Sequence, residues 1–273
     1  MALTAEGVAL TEANRRRQLA IAARAASVGL VLWNDLDARN LDGSGTRWLA
    51  ENVALANQYQ AQSSATTAAY LDRYRAAEGV ADAGPVITPT FDASLTAQIL
   101  LVAGPIRVKN LVGSGMSGSA ALARAKNGFA GMLRRQVLMG GRETIDLTTG
   151  QDQQAIGWRR VSDGDPCTFC AMLCSRGPVY RSAGTAAGSV ERDSRGGGRG
   201  MHFHAHCGCT SEIVYGSWQP NEQEQGFIDA YDRAARQANA AGEARTQDTV
   251  LYRMRANGDF RDSPAIRNQT TKP

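Results

Sequence analysis

The sequence predicts a mainly α-helical fold with a small α+β module in its second half. Three observations favour this fold class. Aromatic residues make up only 6% of the 273 residues, and small residues such as alanine favour helices over the aromatic and β-branched strands of a sandwich or barrel. Apolar residues recur at helical spacing up to about residue 140. Beyond that point the helical periodicity gives way to short apolar runs and turn-rich sequence.

The first region, residues 1–82, is predicted to be an α-hairpin. Its first helix is expected from Thr11 to about Leu36, because apolar positions recur at steps of three and four. The run Asp42–Gly45 is expected to end it, and Ser44 or Thr46 to cap a second helix that ends near Ala77. The apolar positions of the first helix are Leu19, Ala22, Ala26, Leu30 and Trp33.

Residues 83–142 are predicted to be helical and to lead into the core. A helix capped by Asp92 or Ser94 is expected to stop near Ala103, because Gly104-Pro105 follows. After a short helix and a glycine-rich turn, a longer helix is expected from about Ser119 to Met139. The pair Gly140-Gly141 is expected to end it.

The last regions are an α+β module over residues 143–216, helices over 217–260 and a disordered tail over 261–273. Short strands are expected at Trp158–Val161 and Glu212–Tyr215. Residues 181–200 contain almost no apolar side chains, so a mobile loop is expected there. The closing helices are expected at Asn221–Ala240 and Thr246–Ala256.

Composition and charge narrow the function classes. The net charge is only +4, with 30 basic and 26 acidic residues, so charge alone does not indicate a nucleic-acid partner. The longest charge-free apolar stretch, Ala93–Ile106, has 14 residues, which is short of the roughly 20 that cross a bilayer. We therefore expect no membrane association. We also expect no secretory leader, and hence reduced cysteines.

All five cysteines and all three histidines lie between Cys167 and Cys209. Cys167 and Cys170 form a C-x2-C pair, and 33 residues separate it from the segment that begins at His204 and contains Cys207 and Cys209. Thiolate and imidazole groups in two such clusters are the ligands of a tetrahedral zinc site. The sequence therefore predicts bound Zn²⁺ that stabilises the module.

Four of five candidate ligands are expected to bind the metal. The preferred set is Cys167, Cys170 and His204 with either Cys207 or Cys209, and an all-thiolate set without the histidine is an alternative. A scatter of buried thiols without a metal is a further alternative. The remaining residues of these types, which are not expected to be ligands, are Cys174, His202 and His206.

Catalytic alternatives fit the order of residues less well. A zinc deaminase needs an H-x-E segment before its cysteine pair, whereas the first histidine here follows the pair. A metalloprotease needs a motif such as H-E-x-x-H, and the sequence contains none. A cysteine nucleophile activated by His202 or His206 is a third possibility. A closed structural site is the preferred interpretation, so no catalytic residue is assigned.

Four segments together resemble a known family. They are Gly157–Asp163, Asp165-Pro166-Cys167-x-x-Cys170, Arg176–Tyr180 and His204-x-x-Cys207-x-Cys209. This order resembles the phage Mu F-like minor head proteins of actinobacterial tailed phages. In that family the closing motif resembles His-Pro-Asn-Cys-Arg-Cys, whereas this chain has Ala205, His206 and Gly208 at the intervening positions.

The resemblance implies a structural minor head protein that is made in the host bacterial cytoplasm and found in the virion. It implies association with the portal protein and with the major capsid or scaffold protein, and action in procapsid assembly and in DNA packaging or delivery. Packaged double-stranded DNA is a further implied partner. A Cys/His-dependent capsid maturation protease is the first alternative function, and a nucleic-acid-binding zinc module that uses the arginine-rich loop is the second.

Overall fold

The computed structural model describes residues 2–181, 203–258, 260 and 262. Across these residues the protein is mainly helical, as predicted. Its helices are α1 (Ala5–Leu32), α2 (Leu41–Ala77), α3 (Ala93–Leu101), α4 (Arg107–Gly113), α5 (Gly118–Gln151), α6 (Thr168–Cys174), α7 (Glu222–Ala240) and α8 (Gln247–Asn257), and its strands are β1 (Gly157–Val161) and β2 (Thr210–Val214).

The N-terminal hairpin begins and turns earlier than the sequence predicts. Thr4 caps α1 by accepting a hydrogen bond from the Gly7 amide, so this helix starts before Thr11. Asn40 caps α2 in the same way by accepting from the Gly43 amide. The prediction that the run Asp42–Gly45 ends the first helix is therefore wrong, because these residues belong to the first turns of α2.

The predicted helix end near Ala103 is confirmed, because α3 ends at Leu101 and a second short helix, α4, begins at Arg107. A π-helical segment, Val102–Ile106, joins α3 to α4, and Gly104 within it has non-helical backbone angles. The 21 residues from Ala93 to Gly113 are together long and apolar enough to cross a membrane by length and composition alone. A single helix of this kind is weak evidence for a membrane span, and Arg107 and Lys109 lie within it.

Helix α5 does not end at Gly140-Gly141 but continues to Gln151. The two glycines allow a close approach of α2. A Cβ atom at Gly140 would lie 2.2 Å from the backbone oxygen of Gln60, and one at Gly141 would lie 2.5 Å from Thr67 Oγ1. Both glycines therefore serve packing, and α5 passes without a break from the N-terminal helices into the second half of the protein.

Two clusters of buried apolar side chains form the core. The first lies between α1, α2 and α5 and contains the aromatic group Trp33, Trp48 and Phe129. The second joins side chains of α1 and α2 to the α+β module, and includes Tyr74, Trp158 and Cys170. The second cluster therefore depends on residues from both halves of the chain.

The strands β1 and β2 form a two-stranded antiparallel sheet in which Trp158 pairs with Ile213 and Arg160 pairs with Ser211. The sheet confirms both predicted strands, although β2 begins at Thr210. Helices α7 and α8 are close to their predicted bounds, with caps from Asn221 and Thr246. The predicted loop 181–200 lies outside the described residues except for Arg181, as does most of the predicted tail.

Candidate metal centre

The first two candidate ligands lie at the start of α6. Cys167 is the residue that precedes the helix, and Cys170 is in its first turn. Residues three apart lie on the same side of a helix, so this short helix directs both sulfur atoms toward one region. Cys170 is buried and Cys167 is half-buried.

Asp262 holds the start of α6 in place. Its carboxylate accepts hydrogen bonds from the Thr168 amide and from Thr168 Oγ1, the latter at 2.6 Å. The same carboxylate lies 3.3 Å from Arg255 Nε. Asp262 is buried, so the predicted disorder of the tail from residue 261 is wrong at this position.

The other candidate ligands come from the segment that enters β2. Within it the Cys207 amide donates to the His204 carbonyl at 3.2 Å, which closes a tight turn. His206, inside the turn, has a φ of 65°, a backbone conformation that is uncommon for a residue with a side chain. The turn brings His204 and Cys207 to the side that faces α6.

The five predicted ligands are brought together. Cys167 Sγ and Cys170 Sγ lie 3.1 and 3.3 Å from His204 Nε2, and Cys170 Sγ lies 3.5 Å from Cys207 Sγ. Cys170 also belongs to a second close group with Cys207 and Cys209. Ligands about 2.0–2.3 Å from a tetrahedral zinc ion are separated from one another by about 3.5–3.8 Å. The observed separations are near this range, so the donor set fits a metal of this class.

The histidine is oriented to present one ring nitrogen to the thiols. His204 Nδ1 lies 2.7 Å from the Ala205 carbonyl oxygen. A hydrogen bond to a backbone carbonyl at one ring nitrogen leaves the other free as a metal ligand. His204 Nε2, which faces Cys167 and Cys170, is that nitrogen.

The thiols and the imidazole alter one another's acidity. Hydrogen bonds from Cys170 and His204 lower the pKa of Cys167 to about 5. The interaction with Cys167 raises the pKa of His204 to about 9. Hydrogen bonds with the thiols of Cys167 and Cys207 are the largest causes that raise the pKa of Cys170. A cation bound among these groups would stabilise several thiolates at once.

Two of the three residues that were not expected to be ligands lie outside the close groups. Cys174 is buried one helical turn beyond Cys170 and belongs to the apolar core. His206 packs against Gly131 of α5, where a Cβ atom would lie 2.3 Å from its Nε2. His202 lies outside the described residues.

Sequence reasoning missed two arginines and a phenylalanine next to this centre. The guanidinium carbons of Arg142 and Arg160 lie 3.6 and 3.8 Å from the centre of the Phe203 ring. Arg142 Nη2 donates to the carbonyls of Cys207 and Cys209 at 2.9 and 2.7 Å. Nothing in the sequence distinguishes these two from the other arginines of a chain that contains 27. One signal was available: Arg160 lies two residues after Trp158 in β1, so the two side chains are on the same face of the strand.

Fold and site together define a mainly helical protein whose Cys/His cluster could hold a metal ion. The VG15 protein family matches residues 8–241, so the chain belongs to this family. This viral family supports a phage-encoded protein. No curated protein and no solved structure matches the chain.

Proposed function

We propose that the protein is a structural minor head protein of a tailed phage. It associates with the portal protein and with the major capsid or scaffold protein at the inner capsid surface, and acts in procapsid assembly and DNA packaging or delivery. The family match over residues 8–241 carries this proposal. The motif order of the α+β module, which resembles that of Mu F-like minor head proteins, supports the more specific role.

The metal centre has a structural role in this proposal. Four ligands from Cys167, Cys170, His204, Cys207 and Cys209 bind one zinc ion and connect α6 to the segment that enters β2. A site closed by four protein ligands leaves no position for a reacting water. The buried environment of Cys170, Cys207 and Cys209 agrees with such a site.

The experiment is a mass-spectrometric inventory of purified procapsids and mature virions of the phage that encodes the chain. The protein should be present at low copy number in both, and chemical cross-linking should join it to the portal protein. Absence from both particles would refute the structural role. Incubation with the capsid precursor tests the protease alternative, because specific cleavage of the precursor by the purified protein would favour an enzyme.

A further inference from the structure

Two buried arginines lie beside the metal centre. Arg142 and Arg160 are both almost completely buried, with 2% and 0% of their surface exposed. Neither has an ion pair within the described part of the chain. Buried guanidinium groups normally pair with carboxylates, as Arg75 does with Asp152 and Arg159 does with Glu212 in this protein.

Arg160 is the stronger anomaly of the two. None of its three guanidinium nitrogen atoms has a hydrogen-bond partner among the described residues, and its guanidinium group lies over the Phe203 ring. The attraction between a cation and an aromatic ring recovers only part of the free energy that is lost when an ion is buried without a partner of opposite charge. The ring alone therefore does not account for the burial of Arg160.

Other neighbours do not remove the imbalance. Arg142 Nη1 also has no hydrogen-bond partner in the described part of the chain, and Arg142 lines a cavity of about 10 Å³ together with Asn14 and Ser211. A space of this size holds one water molecule, which could accept a hydrogen bond but carries no charge. Asp146, one turn along α5, accepts from Trp158 Nε1, and a single carboxylate cannot neutralise two guanidinium groups.

The cysteine cluster is a source of further negative charge, because Cys207 and Cys209 interact electrostatically with Arg142. Phe203 immediately precedes His204, and Arg142 donates directly to the backbone of Cys207 and Cys209. Metal-bound cysteines are thiolates, so three thiolates and one neutral imidazole around a divalent ion have a net charge of about −1, and four thiolates about −2. Such a complex has the opposite sign to the two arginines.

We propose that the metal is bound as an anionic thiolate complex and that Arg142 and Arg160, packed on Phe203, are positioning residues that provide its counter-charge. This inference rests on the metal centre described under the proposed function and is independent of the role in the phage head. It also explains why the guanidinium group of Arg160 is buried although no described residue accepts a hydrogen bond from it. Outer-shell residues of this kind typically change metal affinity 10–100-fold.

The test measures zinc affinity of the full chain by competition with a chromophoric chelator. Arg160→Met keeps the length of the side chain and removes its charge, and should weaken zinc binding about 10–100-fold. Arg160→Lys keeps the charge and removes the planar group that packs on Phe203. It should keep most of the affinity, within about threefold of the wild type. Arg124→Met makes the same change in net charge at an exposed position of α5 and should leave zinc affinity unchanged.

Thermal unfolding of each variant with zinc and with excess chelator checks the fold. If Arg160→Met and Arg160→Lys weaken zinc binding equally, Arg160 acts by packing and the proposal is wrong. Unchanged affinity in Arg160→Met would also overturn it. If Arg160→Met does not fold, Arg142→Met compared with Arg142→Lys provides the same contrast. A wild-type protein that binds no zinc would refute the metal centre itself, which is a separate result.

Discussion

At the scale of single residues, the metal centre brings together groups that are distant in sequence. Cys170 is central, because it lies close to Cys167, His204, Cys207 and Cys209. The C-x2-C spacing and the second cluster predicted which residues would meet. The position of Arg142 and Arg160 beside this centre could not be predicted, because both pack on Phe203, which is distant from them in sequence.

The first prediction concerns the identity of the ligands. Purified protein should contain about one zinc ion per chain, and Cys167→Ser or Cys170→Ser should remove it, because each substitution removes a thiolate. Cys207 Sγ is in close contact with Cys170 Sγ, so Cys207→Ser should reduce zinc content more than Cys209→Ser. His204→Ala should weaken binding. The measurement is elemental analysis of reduced, freshly purified variants.

Cys174→Ala and His206→Ala are the controls for this series. Both residues lie outside the close groups, so zinc content should stay at the wild-type level. Wild-type zinc content in Cys170→Ser would contradict the assignment, and so would loss of zinc in Cys174→Ala with a native fold.

At the scale of elements, helix α5 shows why local sequence rules failed. Glycine in a helix interior costs about 1 kcal/mol relative to alanine, so the pair Gly140-Gly141 by itself predicts a helix end. The glycines are instead required by contact with α2, where the Gly141 amide also donates to Ser63 Oγ at 2.9 Å. Caps depend on neighbouring residues. The predicted cap Asp92 of α3 is confirmed, whereas Asn40 rather than Ser44 or Thr46 caps α2.

The second prediction compares two glycines in the same helix. Gly140→Ala should destabilise the protein by about 1–3 kcal/mol, because the new methyl group would overlap the Gln60 backbone and force the helices apart. Gly128→Ala should stabilise it by up to about 1 kcal/mol, because Gly128 is exposed and no atom lies within 4 Å of its Cβ position. Urea unfolding followed by circular dichroism measures both. Equal effects of the two substitutions would show that α2 and α5 are not in this close contact.

At the scale of the whole molecule, the N-terminal helices and the α+β module share one core. Tyr74 Oη donates to the Ile213 carbonyl at 2.9 Å. Arg75 pairs with Asp152 at 2.7 Å and donates to Tyr215 Oη at the same distance. These buried contacts join α2 to β2, to the residue that follows β2 and to the end of α5.

The third prediction is that a protein lacking residues 1–80 does not fold cooperatively. The truncation leaves Asp152 as a buried carboxylate without its arginine and exposes apolar side chains of the second core cluster. Circular dichroism should show a loss of the sharp thermal transition even with zinc present. A cooperative transition together with one bound zinc per truncated chain would show that the module is independent.

The fold class, most helix and strand positions and the candidate ligands could be predicted from the amino-acid sequence, because they follow from periodicity, capping residues and the spacing of cysteines and histidines. Three features became visible only in the folded chain: α5 continues through Gly140-Gly141, Asp262 holds the start of α6, and Arg142 and Arg160 lie beside the metal centre. These features depend on contacts between segments that are distant in sequence, and local sequence patterns do not predict which distant segments come into contact.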